Sequence, residues 1–335
     1  TDRSVMPGAL GAPGVRPPRT PGAPMSRSAT GRLTLAALFT ASLCAGALTG
    51  PAAADQPDPS YSYFGGLAAE LTAPGQPPPG ANDWSCTPTA AHPNPVVLLH
   101  GLGNETVGWN TLSPVLVNAG YCVFTTTYGT GALGPMMGAV TPVETSARQI
   151  SDFIDRVRAE TGSDKVDLVG HSMGGAVPFY ALNHLGAAPK IDHYVALAAP
   201  LHGSTVSGLA SLQPLLESTA PGMESAAQCG PCQLSPGSRV AVDLNPDPAI
   251  APAIRFTTVV SRYDEIATPW TTGLLDGPNV DNVVLQDLCA TDYTEHFELP
   301  ADPVAVGVVL NALDPAHARS VSCTVVLPFM GPPAK

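Results

Sequence analysis

Charged side chains are scarce in this sequence, and basic side chains are the scarcer kind. Only 13% of the 335 residues are charged, with 15 Lys and Arg against 27 Asp and Glu. Residues 1–54 hold five arginines and one acid, so residues 55–335 have a formal net charge of −16. So acidic a chain argues against nucleic acid as a partner and against attraction to anionic membranes, although hydrophobic docking onto lipid stays possible.

Long apolar runs are also lacking. The longest, Leu33 to Leu48, has about 16 residues, and a membrane-spanning helix needs about 20. Arginines precede this run and three alanines ending at Ala54 follow it. This layout predicts a secretory signal peptide over residues 25–54, cleaved near Ala54, and hence an extracellular protein. Residues 1–24 have no apolar periodicity and are predicted to be a disordered extension or sequence upstream of a start at Met25.

Cysteine is infrequent as well, with seven in the chain, of which Cys44 lies in the predicted signal peptide. The other six suit three disulfides in an exported protein. Proximity in sequence favours Cys86–Cys122, Cys229–Cys232 and Cys289–Cys323 among the possible pairings. The Cys229-Gly230-Pro231-Cys232 run also has the spacing of a thioredoxin-type redox motif. It lacks the preceding strand and following helix of that motif, so a structural disulfide within a loop is favoured over redox chemistry.

What is present is an alternation of strands and helices after residue 90. It predicts a mainly parallel central sheet with helices on both faces, formed by residues 55–335 as one domain. Residues 203–254 lack periodicity and are predicted to be an insertion over the sheet. The predicted strands are Val96–Leu99, Tyr121–Tyr128, Val166–Val169, Tyr194–Leu197, Phe256–Val260 and Val280–Leu285.

Three helices are predicted among these strands. The first has Thr141 as its N-cap, Pro142 in its first turn and a stop at Gly162. The second follows the strand ending at Val169 and runs to about Gly186, with Pro178 as a local conflict. The third opens with Asp302-Pro303 and runs to about Leu313.

The strongest chemical motif is Gly170-His171-Ser172-Met173-Gly174, between a predicted strand and a predicted helix. A serine in a strained strand-to-helix turn needs small neighbours two positions to either side, and its Oγ then projects from the sheet. The alternative is an ordinary glycine-rich turn, which the flanking elements disfavour. The pattern therefore predicts Ser172 as a nucleophile.

A serine hydroxyl needs a base, and in this kind of site an acid and a histidine follow the serine in that order. His296, about ten residues beyond the last predicted strand, is the favoured base, while His202 could line the site. Asp264, after the strand Phe256–Val260, is the favoured acid, with Glu265 as the runner-up. The acid would orient the imidazole without taking its proton.

An acyl-transfer site also needs donors for the developing oxyanion. The backbone N–H of Met173, directly after the nucleophile, is one candidate. The other is the N–H of Leu102, in the His100-Gly101-Leu102-Gly103 turn after the first strand. These residues require no cofactor and no metal.

Two stretches, Val97 to Gly103 and Gly170 to Gly175, resemble the secreted bacterial lipases and esterases of the α/β-hydrolase superfamily, in particular the actinobacterial class 2 lipases. The Tyr263 to Pro269 stretch is similar to the acid loop of that group and of Candida antarctica lipase B. The similarity spans about residues 60–325. It implies the α/β-hydrolase fold, the same triad and oxyanion donors, and an apolar flap over Gly131 to Val140.

The expected activity is therefore carboxylic ester hydrolysis, of lipid esters such as triacylglycerols, through an acyl-enzyme intermediate. The expected partner is a lipid or other hydrophobic ester, which a lipid–water interface could present, and the protein is expected to be a monomer. One alternative is an exported acyltransferase of the mycolyltransferase kind, which would use the same triad. The other is a non-catalytic binding protein with this fold.

Overall fold

The computed structural model describes residues 56–70, 75–131, 134–207, 233–244 and 246–333. Several predictions fall outside the described residues: the N-terminal extension, the signal peptide and the Cys229–Cys232 pair. Residues 208–232 of the predicted insertion also lie outside them. No helix within the described ranges is long and apolar enough to cross a bilayer.

A parallel sheet lies at the centre of the described chain. Its strands are β1 (Val96–Leu99), β2 (Val123–Thr125), β3 (Val166–His171), β4 (Ile191–Leu197), β5 (Arg255–Val260) and β6 (Val280–Val284). Their order across the sheet is β2-β1-β3-β4-β5-β6, and every pairing is parallel. The predicted fold class, an α/β-hydrolase fold, is thus confirmed.

Most predicted strand positions hold, and β1 matches its prediction residue for residue. The strand predicted over Tyr121–Tyr128 is the exception, because β2 has only three residues. Asn82 hydrogen-bonds through its side chain to both the N–H and the carbonyl of Thr125, and so occupies the outer edge of β2. Tyr128 instead turns inward, and its hydroxyl donates to the carbonyl of His100 at 2.8 Å.

Helices accompany the strands along the chain. They are α1 (Tyr63–Glu70), α2 (Leu112–Asn118), α3 (Val143–Thr161), α4 (Met173–Ala176), α5 (Pro178–His184), α6 (Arg239–Leu244), α7 (Leu285–Leu288) and α8 (Pro303–Leu313). Gly162 ends α3 with φ +68°, and the Asp302 side chain caps α8, as predicted. The periodicity did not indicate α1 or α2.

Two of the helix predictions were wrong in detail. The helix predicted after the Ser172 motif is split into α4 and α5, because Pro178 has no N–H to continue the ladder. Thr141 does not cap α3, since its hydroxyl contacts Ser146. Instead, the N–H of Val143 donates to the side-chain carbonyl of Gln233 at 2.7 Å, so the cap comes from a distant segment.

Side chains that alternate along the strands pack into two apolar layers, one on each face of the sheet. Val97 and Leu99 of β1 point into the layer that contains the buried face of α3 and α5. Val96 and Leu98 point into the opposite layer, which α2 and α8 cover. Both faces of β1 and β3 are fully buried, which explains their continuous apolar sequence.

Two of the predicted disulfides are present, Cys86–Cys122 and Cys289–Cys323. The first ties the segment before β1 to the start of β2. The second ties the residues after α7 to the C-terminal segment. Disulfides of this kind form and persist in oxidising compartments, which agrees with an extracellular protein.

The loops that follow β1, β3, β5 and β6 all leave the same edge of the sheet, because the strands are parallel. In an open parallel sheet, ligands bind outside the carboxyl ends of the strands, where the strand order reverses. Here the order reverses at β1, which has β2 on one side and β3 on the other. The candidate residues lie in these loops.

Candidate active site

Ser172 occupies a sharp turn between β3 and α4. Its backbone has φ +54° and ψ −124°, a conformation that is strained for a residue with a side chain. A Cβ on Gly170 would lie 2.1 Å from the carbonyl oxygen of Gly174, and one on Gly174 would lie 2.0 Å from that of Leu99. The two glycines are therefore required by close backbone approach, as the motif predicts.

Ser172, His296 and Asp264 lie in one chain of hydrogen bonds. The Oγ of Ser172 is 3.0 Å from Nε2 of His296. The Nδ1 of His296 is 3.0 Å from each carboxylate oxygen of Asp264. All three residues are buried. The loops after β3, β5 and β6 thus bring together residues that are 124 and 32 positions apart in sequence.

The two adjacent acids after β5 contact different parts of His296. Asp264 contacts the ring, and its Oδ1 also accepts from the backbone N–H groups of Ile266 and Ala267 at 2.9 and 2.7 Å. Glu265 instead accepts from the backbone N–H of His296 at 3.3 Å. Asp264 is therefore the acid whose geometry fits orientation of the imidazole, while Glu265 holds the loop.

His202, which could have lined the site, and His317, near the C-terminus, lie elsewhere. His202 is exposed, and its Nε2 contacts the carbonyl of Leu274 at 3.0 Å. His317 is paired with Asp314. Neither forms a hydrogen bond to Ser172 within the part of the chain that the structure describes.

Two buried histidines next to the site support its backbone. His171 Nε2 lies 2.9 Å from the carbonyl of His296, so the ring carries its hydrogen on Nε2 and donates to it. His100 donates from Nδ1 to the carbonyl of Gly101 and accepts at Nε2 from the N–H of Tyr128. Burial lowers the pKa of His100 to about 4 and that of His171 well below 6.5, so both rings stay neutral.

The N–H groups of Leu102 and Met173 form no hydrogen bond with other described residues. A Cβ on Gly101 would lie 2.9 Å from Cβ of Ser172, so the backbone leading to Leu102 passes directly beside the serine. Met173 is the first residue of α4, where an N–H has no partner within the helix. Two backbone donors are thus available beside Ser172.

The loop that contains His296 holds several buried acids. Glu295 accepts from the N–H groups of Phe297, Glu298 and Phe329. Asp302 caps α8 and also accepts from the hydroxyl of Thr294. Burial raises the pKa of Glu298 to about 7, and burial with the neighbouring Asp292 raises that of Asp302 to about 7. These side chains hold the loop through backbone N–H groups.

Apolar side chains lie on two of the loops of the candidate site. In the His296 loop, Phe297 contacts the His296 ring, and Phe64 packs between Phe297 and the half-exposed Phe329. At the Leu102 loop, Leu102 and Met136 are 45% and 62% exposed. The segment with Met136 is joined to the Leu102 loop by reciprocal backbone hydrogen bonds of Gly138. An apolar ligand could therefore pack against either group of side chains.

Among the residues that the structure describes, one group has the spacing of metal ligands: Asp167, Asp192 and His193. It lies at the amino ends of β3 and β4, away from Ser172. Both carboxylates and Nδ1 of His193 already have partners, because Asn94 contacts both carboxylates, Lys165 pairs with Asp192, and His193 Nδ1 contacts Asp167. This network needs no ion to account for it.

The supporting residues were not predicted from the sequence, because no local pattern assigned a supporting role to His171, His100 or Glu298. Only the repeated carboxylates in Glu295-His296-Phe297-Glu298 could have indicated that this loop is held by acids.

Solved structures with a similar fold include the lipase B of Aspergillus fumigatus, with a TM-score of 0.52 and 16% identity. That similarity covers 73% of this chain and 61% of the Aspergillus chain. The present chain therefore spans about three-fifths of the length of the Aspergillus lipase. The mature lipase of Bacillus licheniformis has a TM-score of 0.48 and 17% identity, over 71% of this chain and 96% of that one. The likeness to the Aspergillus structure concerns the fold alone.

A family model for Lipase (class 2) matches residues 93–306, well over half of the chain. The match includes the Leu102 turn, the Ser172 elbow, the Asp264 loop and the His296 loop. Its limits enclose the parallel sheet and all the loops at the carboxyl edge that carry the candidate residues. The chain therefore belongs to the class 2 lipase family.

Proposed function

We propose that the protein is a secreted hydrolase of lipid esters, such as triacylglycerols, with Ser172, His296 and Asp264 as its catalytic triad. The observation that supports this most is the unbroken series of 3.0 Å contacts from Oγ of Ser172 through the His296 ring to Asp264. The reaction is the cleavage of a carboxylic ester through an acyl-enzyme intermediate.

In the first half of the reaction, Oγ of Ser172 attacks the ester carbonyl while His296 Nε2 takes the hydroxyl proton. The carbonyl oxygen becomes an oxyanion, which accepts hydrogen bonds from the N–H groups of Leu102 and Met173. The tetrahedral intermediate then breaks its bond to the alkoxy oxygen. His296 returns the proton to that oxygen, so that an alcohol leaves and Ser172 carries the acyl group.

In the second half, His296 removes a proton from a water molecule that attacks the acyl-enzyme. The same two N–H groups stabilise the second oxyanion. Collapse of this intermediate releases the carboxylic acid, and the proton on His296 returns to Ser172. Asp264 orients the ring in both halves and stabilises the imidazolium without taking its proton.

A hydrophobic acyl chain suits the apolar side chains near the candidate triad. Phe297 and Phe64 lie at the His296 loop, while Leu102, Met136 and Met137 are exposed at the Leu102 loop and the segment joined to it. Burying an apolar chain contributes about 0.8 kcal/mol per methylene group, so these apolar surfaces favour long acyl chains over short ones. Contact with a lipid–water interface is part of this proposal.

The test is hydrolysis of a soluble p-nitrophenyl ester by the wild-type protein and by Ser172→Ala. We expect Ser172→Ala to lose at least about 10³-fold in kcat. It should also lose covalent labelling by a fluorophosphonate probe. Ser163→Ala, which removes an exposed hydroxyl near the amino end of β3, is the matched control and should keep wild-type values.

Wild-type hydrolysis by a correctly folded Ser172→Ala variant would reject the proposed nucleophile, and no labelling of the wild-type protein would favour a non-catalytic binding protein.

Supplying trehalose or a sterol as acyl acceptor separates a hydrolase from an acyltransferase, because an acyltransferase releases ester rather than free acid. Emulsified esters of increasing chain length, assayed above and below their solubility, define the substrate and any dependence on an interface.

Secretion has its own test. Two disulfides agree with an oxidising compartment. Mass spectrometry of the protein recovered from culture medium should find an N-terminus near Asp55, directly after the predicted cleavage site. Recovery of the uncleaved chain from the cell interior would contradict the predicted signal peptide.

A further inference from the structure

We propose that Tyr63 is a positioning residue that couples the loop of the oxyanion donor Leu102 to the loop of the catalytic base His296. The segment before β1, which lies outside the Ser172, Asp264 and His296 constellation, thereby becomes part of the active site. This inference rests on the proposed function, because it assigns a role in that reaction.

Tyr63 forms one hydrogen bond to each loop. Its hydroxyl accepts from Nδ2 of Asn104 at 2.8 Å, and Asn104 is two residues beyond Leu102. Its backbone N–H donates to Oε1 of Glu298 at 3.0 Å, and Glu298 is two residues beyond His296. Both partners are more than 40 positions away in sequence, so tertiary packing alone brings them together.

The contact with Tyr63 holds Asn104, and with it the loop that carries the proposed oxyanion donor Leu102. Asn104 Oδ1 accepts from the N–H of Glu105 at 2.8 Å, so the amide is held at one end by its own loop and at the other by Tyr63. Leu102 lies between Gly101 and Gly103, and Gly103 has φ +64°. A donor flanked by glycines has a freely moving backbone unless other contacts hold it. Gly138 and Tyr63 supply those contacts.

The Glu298 contact joins the same residue to the base. Glu298 is fully buried. A Cβ on Gly331 would lie 2.7 Å from its Oε1 and 2.5 Å from the carbonyl of Tyr61, so the N-terminal segment, the His296 loop and the C-terminal turn meet without free space. Burial and the nearby Glu295 raise the pKa of Tyr63 to about 12, so its hydroxyl stays protonated at working pH.

The N-terminal segment does not depend on the Tyr63 hydroxyl for its own attachment. Asn118 donates to the carbonyl of Pro57 at 2.9 Å, and the hydroxyl of Thr111 donates to the carbonyl of Ser60. Asn110 donates to the carbonyl of Gly66 at 3.2 Å. Removing only the hydroxyl should therefore leave the segment in place and release Asn104 alone.

The experiment compares Tyr63→Phe with Tyr61→Phe in the full chain. The control removes the same group two residues earlier, where no hydrogen bond to the described residues is lost. The soluble p-nitrophenyl ester supplies KM and kcat, the latter expressed per active site titrated with a fluorophosphonate. The rate of fluorophosphonate labelling is measured separately, because the phosphonyl oxygen occupies the oxyanion position.

For Tyr63→Phe we expect kcat per site to fall about 3- to 10-fold, with KM within twofold and the labelling rate falling by a similar factor. Final labelling should still reach one probe per chain, and the thermal midpoint should match that of Tyr61→Phe. A merely structural role would lower the labelled fraction or the midpoint and leave kcat per site unchanged.

The inference is overturned if Tyr63→Phe keeps the wild-type kcat per site, or if Tyr61→Phe loses as much. A wild-type chain that neither hydrolyses the ester nor takes up the probe would instead reject the proposed function itself. The two failures are therefore distinguishable by the wild-type result.

Discussion

His171 donates a hydrogen bond from Nε2 to the backbone carbonyl of His296, 125 residues later in the chain, at 2.9 Å. The residue directly before the proposed nucleophile thus holds the backbone of the proposed base. Its ring lies 4.9 Å from the His296 ring, and its low pKa keeps it neutral beside a histidine that would become charged in the proposed reaction.

This relationship predicts a difference between two substitutions of His171. His171→Leu removes the donor and leaves a buried carbonyl without its partner, so we expect kcat to fall about 10-fold. His171→Gln keeps an N–H donor at similar reach and should stay within about threefold of wild type. Steady-state kinetics on a soluble ester, corrected for active sites, makes the comparison. Equal activity of the two variants would show that the hydrogen bond has no catalytic effect.

The two adjacent acids after β5 should differ sharply in their effect on rate. Asp264→Asn leaves the shape intact but favours the wrong tautomer of His296, so kcat should fall about 10⁴-fold. Glu265→Gln keeps an oxygen that can accept from the N–H of His296 and should lose no more than about threefold. The reverse order of effects, measured on the same ester, would make Glu265 the acid of the triad.

Gly174 is predicted to be irreplaceable for steric reasons. Gly174→Ala would place a Cβ 2.0 Å from the carbonyl oxygen of Leu99, so the elbow must shift and the free energy of unfolding should fall by about 3 kcal/mol or more. Gly186→Ala is the matched control: its φ is +66°, but no atom lies within 4 Å of the added Cβ, and it should cost about 1 kcal/mol. Urea unfolding measures both. Similar losses in the two variants would contradict the steric explanation.

The stability of the protein should depend on pH through Glu298. Its pKa is about 7 in the folded protein and 4.5 in an exposed chain, so the folded state binds more protons between these values. The free energy of unfolding should therefore fall as pH rises from about 4.5 to 7. Glu298→Gln removes this titration, and its thermal midpoint should fall less than that of wild type between pH 5 and pH 7.5.

Glu160→Gln, at an exposed position near the end of α3, is the control for that comparison. It should show the same pH dependence as the wild-type protein. An unchanged pH dependence in Glu298→Gln would mean that Glu298 is ionised in the folded state across the range.

Features that depend on neighbours in the chain could be predicted from the order of the amino acids. A continuous apolar run defined β1 to the residue, Gly162 ended α3, and Asp302 capped α8, because strand burial and helix termini leave local patterns. The elbow around Ser172 was recognisable for the same reason. The small residues that the turn requires lie within two positions of the serine.

Tertiary structure alone decided the contacts whose partners are remote. Gln233 rather than Thr141 caps α3, and Glu265 holds the backbone of His296 while Asp264 contacts its ring. Tyr63 joins two loops that no local pattern connects to it. Periodicity and caps report on a few consecutive residues. Hydrogen-bond partners from separate loops become neighbours only after the sheet has brought the carboxyl ends of its strands to one edge.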